Sequence, residues 1–465
     1  MALEFRDPIG SSSPSGRNGT IPQLRRGHSS GSQGQAPFGG YGCTPGTAPK
    51  KRHRTGVVWA ALLLLCLLIA GVLLLRGTIG RPSEPSPRIE PGAIEVPSPG
   101  GGGTSSEKAD DVRALAEKII PQFHCRYLVQ QLDDRMLENF LTLYQTVADF
   151  KAECKFPNRI REKELDALLT LLRENCPELF QLDVKEGIWR TTTGQGDNRV
   201  VTEVTSIPYL MDADTYRQAY RECSQIVSEV VNGAQGLSPY EAELYVYQFI
   251  TSHCVYDLST QYCATPYGAL VEGRAKCDGT AKTAQWILER LGMVVMSVSG
   301  DPMDGEIGHQ WNVIEINGTF YDLDVTADLG TETDKLLYGR FNVNDRLIRD
   351  IYPIRSSYQT CFTVPGTSST AGSYHARNHT LVASGADYGP MLADLISRAT
   401  QSGGGSFSIQ FSSKTQMDEM LQIFESWDRA NQFLKEYGAS LDGFSYSQHY
   451  QAESYVCSLT LTWYQ

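Results

Sequence analysis

Two neighbouring stretches, YGALVEGRAKCDGTAKTAQWILERLG at 267–292 and GEIGHQWNVIEINGTFYDLDVTAD at 305–328, carry more structural information than any other part of the chain. In the first, a Gly/Arg/Lys loop turns into a helix at Cys277. Ala281, Ala284, Leu288 and Leu291 share a helix face with that cysteine, and Gly292 stops the helix. A thiol in a first turn faces the positive end of the helix dipole, which lowers its pKa; Arg274 and Lys276 are expected to add to the effect. In the second stretch, Gln310–Ile316 and Thr319–Val325 are β-rich and joined by Asn317-Gly318, the signal of a two-residue type I′ hairpin turn. That turn fixes the register. It sets His309 opposite Thr326 and Trp311 opposite Asp324. His309 then shares a sheet face with Asp324 and Asp328 as diagonal neighbours, with Cα atoms about 7–8 Å apart. Asp322 lies on the same face one step further off. Geometry alone leaves Asp324 and Asp328 tied.

A helix-start cysteine with a carboxylate-oriented histidine is the kit for thiolate catalysis: the imidazole takes the thiol proton and the sulfur attacks a carbonyl. A backbone N–H at the helix start is placed to help hold the oxyanion. The segments GRAKCDGTA, GHQWN and YDLDVTAD, in that order, resemble the three motifs of the transglutaminase-like superfamily. The resemblance covers roughly residues 240–345 and extends upstream through PELF at 177–180 and the helical region before IPY, which are similar to membrane-anchored bacterial members. It implies an α+β fold with a transglutaminase-like, papain-like core, in which a helix bearing the cysteine packs on an antiparallel sheet bearing the histidine and the aspartate. A helical region precedes that core and a small α/β domain follows it. It also implies Cys277 as nucleophile, His309 as general base and Asp324 as orienting acid, which breaks the tie with Asp328. Trp311 and Asn312 are then expected to pack beneath the dyad, and Tyr267 to serve the oxyanion. Thr280, Gln310 and Ala327 depart from the Tyr, Ala and Trp common in the family, a difference that bears on the pocket more than on the chemistry.

The implied activity is thiol acyl transfer on peptide or glutamine amides, with the acyl-enzyme resolved by water, as in a cysteine peptidase or amidase, rather than by an amine, as in cross-linking. The substrate class is protein, peptide or cell-wall peptide. The alternative is a surface binding or scaffold protein that keeps the fold without turnover. No phosphate-binding loop, HExxH, paired CxxC or EF-hand motif is present, so no cofactor and no metal is expected. The net charge of −12 argues against nucleic-acid binding.

Val57–Leu75, VVWAALLLLCLLIAGVLLL, is 19 residues without a charge. As a helix it covers roughly 28 Å, close to the hydrocarbon thickness of a bilayer. Eight Lys and Arg residues against two acidic ones in residues 1–56, four of the eight in KKRHR just before the span, keep the N-terminus cytoplasmic. The expected protein is therefore single-pass in the cell membrane, with its C-terminal bulk extracytoplasmic. The chain divides into a disordered tail at 1–55, the span at 56–76 and a Pro/Gly-rich stalk at 77–109. A mostly helical region at 110–236, a catalytic domain at 237–365 and a small α/β domain at 366–465 follow.

Within the helical region, Met136, Phe140, Leu143, Val147 and Phe150 form one stripe, and Leu165, Leu168, Leu169 and Leu172 another. Both read as core. Ser238-Pro239-Tyr240-Glu241 is a capping box with Pro at the first helical position. Towards the C-terminus the pattern predicts a strand at 406–411, a broken helix at 414–436 and strands at 443–449 and 453–464. Of 11 cysteines, nine lie beyond the span. With Cys277 free, the other eight are enough for four disulfides, and Cys254 with Cys263 is the one specific pairing the spacing suggests.

Overall fold

The computed structural model describes residues 126–463 apart from 184–186, 303, 304, 306 and 331–335, together with two short strands at Leu3–Glu4 and Gly42–Thr44. The apolar run 57–75, the stalk and nearly all of the tail lie outside the described residues. Among the described residues no helix is long and apolar enough to cross a membrane.

Helix α1 (Asp134–Ala148) starts where the Asp133 carboxylate accepts the Met136 N–H at 2.7 Å. It ends before Phe150, which takes a left-handed φ of 56° and turns its ring onto Tyr209 and Tyr216. The expected stripe therefore stops at Val147, because the chain leaves the helix one residue later. Helix α2 (Glu162–Asn175) and the hairpin β1 (Trp189–Thr193) and β2 (Val200–Ser206) follow. Next come α3 (Ala213–Gly233) and α4 (Pro239–His253), the latter opening on the Ser238–Glu241 capping box. Helix α5 (Cys277–Arg290) leads to an antiparallel sheet in the order β5-β4-β3, formed by β3 (Val295–Gly300), β4 (His309–Ile316) and β5 (Thr319–Leu323).

This sheet is buried on both faces, which is why its strands read as near-continuous apolar runs. Met296, Val298, Trp311 and Val313 pack with Phe140 and Leu168 of α1 and α2. On the other face Val295, Ile314, Ile316 and Leu323 meet Trp286, Ile287 and Leu288 of α5 and Val246 and Ile250 of α4. Each of the wholly buried Ile287 and Leu288 contributes about 2 kcal/mol through burial. Both cores draw residues from either side of position 236, so the helical region and the cysteine-bearing region are packed through one another.

The hairpin keeps its register from Thr319↔Ile316 to Leu323↔Asn312, with Asn317 and Gly318 at φ 52° and 80° as a type I′ turn demands. The ladder stops there. Asp324 caps a 3₁₀ turn, Val325–Asp328, by accepting the Thr326 N–H at 3.1 Å. The expected pairs His309–Thr326 and Trp311–Asp324 are therefore not formed.

The C-terminal region has its own core. Helices α6 (Gly389–Gln401), α7 (Lys414–Ile423) and α8 (Trp427–Glu436) pack on β6 (Gly404–Phe411), β7 (Phe444–Gln451) and β8 (Val456–Trp463). A 3₁₀ turn, Ala452–Ser454, joins β7 to β8, and Tyr455 after it is left-handed at φ 53°.

The disulfide expectation is corrected. Cys154, Cys176, Cys223, Cys254, Cys263, Cys277, Cys361 and Cys457 are all free thiols. Cys254 and Cys263 need no bridge to close their loop. A backbone ladder of Val255–Tyr256 with Arg274–Ala275 and the Lys276 N–H to Cys263 carbonyl bond at 2.9 Å already close it.

Candidate active site

Cys277 is the first residue of α5, entered from the short strand Arg274–Ala275. Gly279 in the same turn lies so close to the preceding loop that a Cβ there would sit 2.5 Å from the Cys263 carbonyl oxygen and 2.9 Å from that of Thr265. The absence of a side chain seats the helix start against that loop. Strand β4 supplies His309, and the cap after β5 supplies Asp324. The two meet directly: His309 Nε2 lies 2.8 Å from Asp324 Oδ2. The backbone N–H of Gln310, the residue after His309, donates toward the Cys277 sulfur. The imidazole and the carboxylate thus meet directly, and the strand that carries the imidazole reaches the Cys277 sulfur through the N–H of Gln310.

Supporting contacts lock these elements together. Asn312 Nδ2 donates to the Ala281 carbonyl of α5 at 3.0 Å and to Ser297 Oγ of β3 at 3.1 Å. Trp311 Nε1 donates to Asp322 Oδ1 at 2.8 Å, and its ring lies nearly parallel to that of His309 at 6.0 Å. The tie between carboxylates is resolved by position: Asp328 accepts from Tyr247 OH at 2.8 Å and from the Tyr338 N–H at 2.7 Å. Burial raises its pKa to about 6. Asp322 serves Trp311, Thr367 and Arg349.

Three features differ from expectation. The thiol is not activated in the resting site. Burial pushes the Cys277 pKa well up, and the Asp278 carboxylate, which accepts the S–H at 3.2 Å, pushes it further. Lys276 pulls the other way but is itself paired with Asp278 at 2.8 Å, and Arg274 is spent on Asp257 at 2.8 Å. Burial also opposes ionisation of Asp278, yet Lys276 and Lys282 hold it down at about 2. Second, Tyr267 is placed elsewhere: its ring packs edge-on against Tyr262, and its charged neighbours are Glu222 and Glu272. Tyr256 and Tyr352 are phenols that share their surroundings with the sulfur. Third, Asp324 has a second partner. Arg340 Nη1 donates to the same Oδ2 at 2.8 Å. Against the effect of burial, His309 and Arg340 together hold the Asp324 carboxyl far below the usual carboxylate range. The adjacency of Asp278 to Cys277 was a signal in the sequence; Arg340 carried none. The site is closed, with Cys277 6% exposed, His309 2% and Asp324 1%. Tyr352 lies over the imidazole at 5.0 Å. Among the described residues no cluster of three or more His, Cys, Asp or Glu is gathered for a metal.

No protein-family model matches the chain, and no curated protein matches it. Two solved structures show a partial likeness. One is a TGase, 11% identical, aligned over 30% of this chain and 43% of its own with a TM-score of 0.21. The other is a candidate cysteine protease from Cytophaga hutchinsonii, 13% identical, aligned over 30% of this chain and 63% of its own with a TM-score of 0.21. The chain spans less than two thirds of either protein's length.

Proposed function

We propose that this protein is a thiol-dependent acyl-transfer enzyme of the transglutaminase-like type, with Cys277 as nucleophile, His309 as base and Asp324 as the orienting acid. The observation that carries the reading is the 2.8 Å pair of His309 Nε2 and Asp324 Oδ2 beside a helix-start sulfur. His309 Nδ1 accepts the thiol proton, and the sulfur attacks the carbonyl carbon of a peptide or glutamine amide. The proton then passes from the imidazolium to the departing nitrogen. Water, activated by the same imidazole, cleaves the thioester and restores the thiol. Hydrolysis is preferred to transfer onto an amine, since no dedicated amine site was evident in the sequence. Backbone N–H groups of the first turn of α5 have no intrahelical partner and suit the oxyanion. We further propose that residues 57–75 anchor the enzyme in the cell membrane with this site on the extracytoplasmic side.

A thiol-directed electrophile tests the chemistry. The native full-length chain should be labelled at Cys277, Cys277→Ala should abolish that label, and His309→Asn should slow it at least tenfold. One observation favours a second reading, a binding protein without turnover: the thiol is buried and its pKa is raised. Labelling of Cys277 only after denaturation would establish that reading instead.

A further inference from the structure

Arg340 lies in the loop that follows residues 331–335 and is 2% exposed. Its guanidinium spans two carboxylates. Nη1 donates to Asp324 Oδ2 at 2.8 Å, and Nη2 donates to Glu453 Oε2 at 2.7 Å. Glu453 belongs to the turn between β7 and β8 of the C-terminal domain. That domain has a separate apolar core; Tyr374 stacks on Tyr338 at 3.8 Å, and beside that stack runs a polar seam.

The seam is dense, and its Glu453 end is partly exposed. Gln451 Nε2 donates to the Ala327 carbonyl, in the turn that Asp324 caps, at 2.9 Å. Gln410 Nε2 reaches the Gly339 carbonyl at 2.9 Å and the Ser454 carbonyl at 3.1 Å. A Cβ on Gly339 would sit 2.5 Å from Gln451 Oε1 and 2.7 Å from Ser454 Cβ. Gln410, Gln451 and Ser454 are all buried. The backbone on both sides of the Asp324–Arg340 contact is therefore held by the C-terminal domain.

We propose that Glu453 acts through Arg340 as a positioning residue for the Asp324–His309 pair, so that docking of the C-terminal domain sets the basicity of His309. This inference rests on the acyl-transfer reading for its catalytic meaning. The physical argument is charge sharing. Asp324 Oδ2 receives both the imidazole and the guanidinium, and whatever Arg340 gives to Asp324 weakens the carboxylate's hold on an imidazolium. Glu453 draws part of the guanidinium away, which leaves Asp324 more available to His309. The other groups facing this cluster are Asp328 from the 3₁₀ turn, Tyr247 from α4, Tyr256 from its short strand, and Tyr352 and Cys277 beyond Arg340. They are common to every variant below.

The test is the NMR titration of His309 in the full-length, ¹⁵N-histidine-labelled chain, its signal assigned by its loss in His309→Asn. In Glu453→Gln the guanidinium passes wholly to Asp324, and the His309 signal should titrate at lower pH than in the wild type. In Arg340→Met the carboxylate serves His309 alone, and the signal should titrate at higher pH than in the wild type. Glu453→Asp should restore the wild-type value in part. His375, buried at the same seam, should hold its wild-type titration in Glu453→Gln. A merely structural tether would loosen the site in either variant without a fixed sign, and a Glu453 that acted on His309 directly through space would still lower its pKa when Glu453→Gln is made in the Arg340→Met background, where the relay through Arg340 predicts no further shift. Should Arg340→Met not fold, Glu453→Gln and Glu453→Asp carry the test alone. An unchanged His309 pKa in Glu453→Gln, or shifts of the same sign in the two charge-removing variants, overturns the proposal. Opposite shifts with an unreactive Cys277 would leave the seam standing and remove the acyl-transfer reading; a reactive Cys277 with an unmoved His309 would do the reverse.

Discussion

Glu243→Gln should stabilise this protein, and increasingly so as the pH rises. Glu243 sits on α4 with no exposed surface, and its Oε2 accepts from Asn342 Nδ2 at 2.7 Å. Asn342 takes a left-handed φ of 53° in the loop that carries Arg340, so this contact anchors that loop. Glu243 Oε1 and Asn342 Oδ1 are both buried acceptors with no hydrogen-bond partner. A proton on the carboxyl, or an amide in its place, provides the donor that this pair lacks. Burial accordingly raises the Glu243 pKa from 4.5 to about 8. The sign follows from linkage. A carboxyl whose folded pKa lies above its unfolded one binds more protons when folded, so stability falls as pH rises from about 4.5 towards 8 and stays low beyond it. Integrating between those two values gives a loss of about 2 kcal/mol between pH 6 and pH 8. Glutamine does not titrate and keeps both polar atoms in place. Glu178, raised to about 7, and Asp328, raised to about 6, slope the same way in both proteins and cancel in the difference. Urea unfolding of wild type and variant at pH 6, 7 and 8 is the assay. The stability gap should widen by about 2 kcal/mol across that range. Parallel curves would refute the argument that Glu243 is held protonated.

Asp324→Asn should lower the rate of any acyl transfer by about 10³–10⁴-fold, because a neutral amide cannot stabilise the imidazolium and imposes the wrong tautomer; single-turnover kinetics measure it. The same variant tests a stability sign: the Asp324 pKa is depressed in the fold, so its contribution is present above about pH 4 and lost on acidification. The variant should therefore be most destabilised near neutrality and least at low pH, as read from unfolding midpoints. Asn312→Ala removes the bonds from β4 to α5 and to Ser297, and should cost about 2–3 kcal/mol in urea unfolding while slowing Cys277 labelling. Gly279→Ala forces a methyl against two backbone carbonyl oxygens and should cost about 1–3 kcal/mol, with α5 displaced enough to change the labelling rate of Cys277.

What the sequence disclosed, and what it withheld, separates along the range of the forces involved. The Asn317-Gly318 turn is a two-residue preference, and it alone set five cross-strand pairs in register. The α5 boundaries and the Ser238 cap are equally local. His309 and Asp324 meet even though the ladder stops short of both, because a capping aspartate turns its carboxylate back over the strand it leaves. Geometry alone cannot choose Asp324 over Asp328 without Tyr247 and Tyr338, 81 and 10 residues from the acid they occupy; in the sequence it is the family resemblance that makes the choice. The thiol's environment was misjudged for a similar reason. A helix dipole is local to its own helix, but burial belongs to the whole fold, and here burial and the neighbouring Asp278 outweigh the dipole and a lysine already engaged by that aspartate. The cysteine count also mistook parity for pairing: a disulfide requires two Cβ atoms brought to bonding geometry, and the eight described cysteines do not meet that condition. Arg340 marks the far limit. Its meaning depends on a glutamate 113 residues away in a region with its own core, and no periodicity or motif connects the two. That is also the argument for treating the C-terminal domain as part of the site. A buried arginine held between two carboxylates costs several kcal/mol in desolvation that only both partners together offset, so the charge balance at Asp324 cannot be stated without the domain that supplies Glu453.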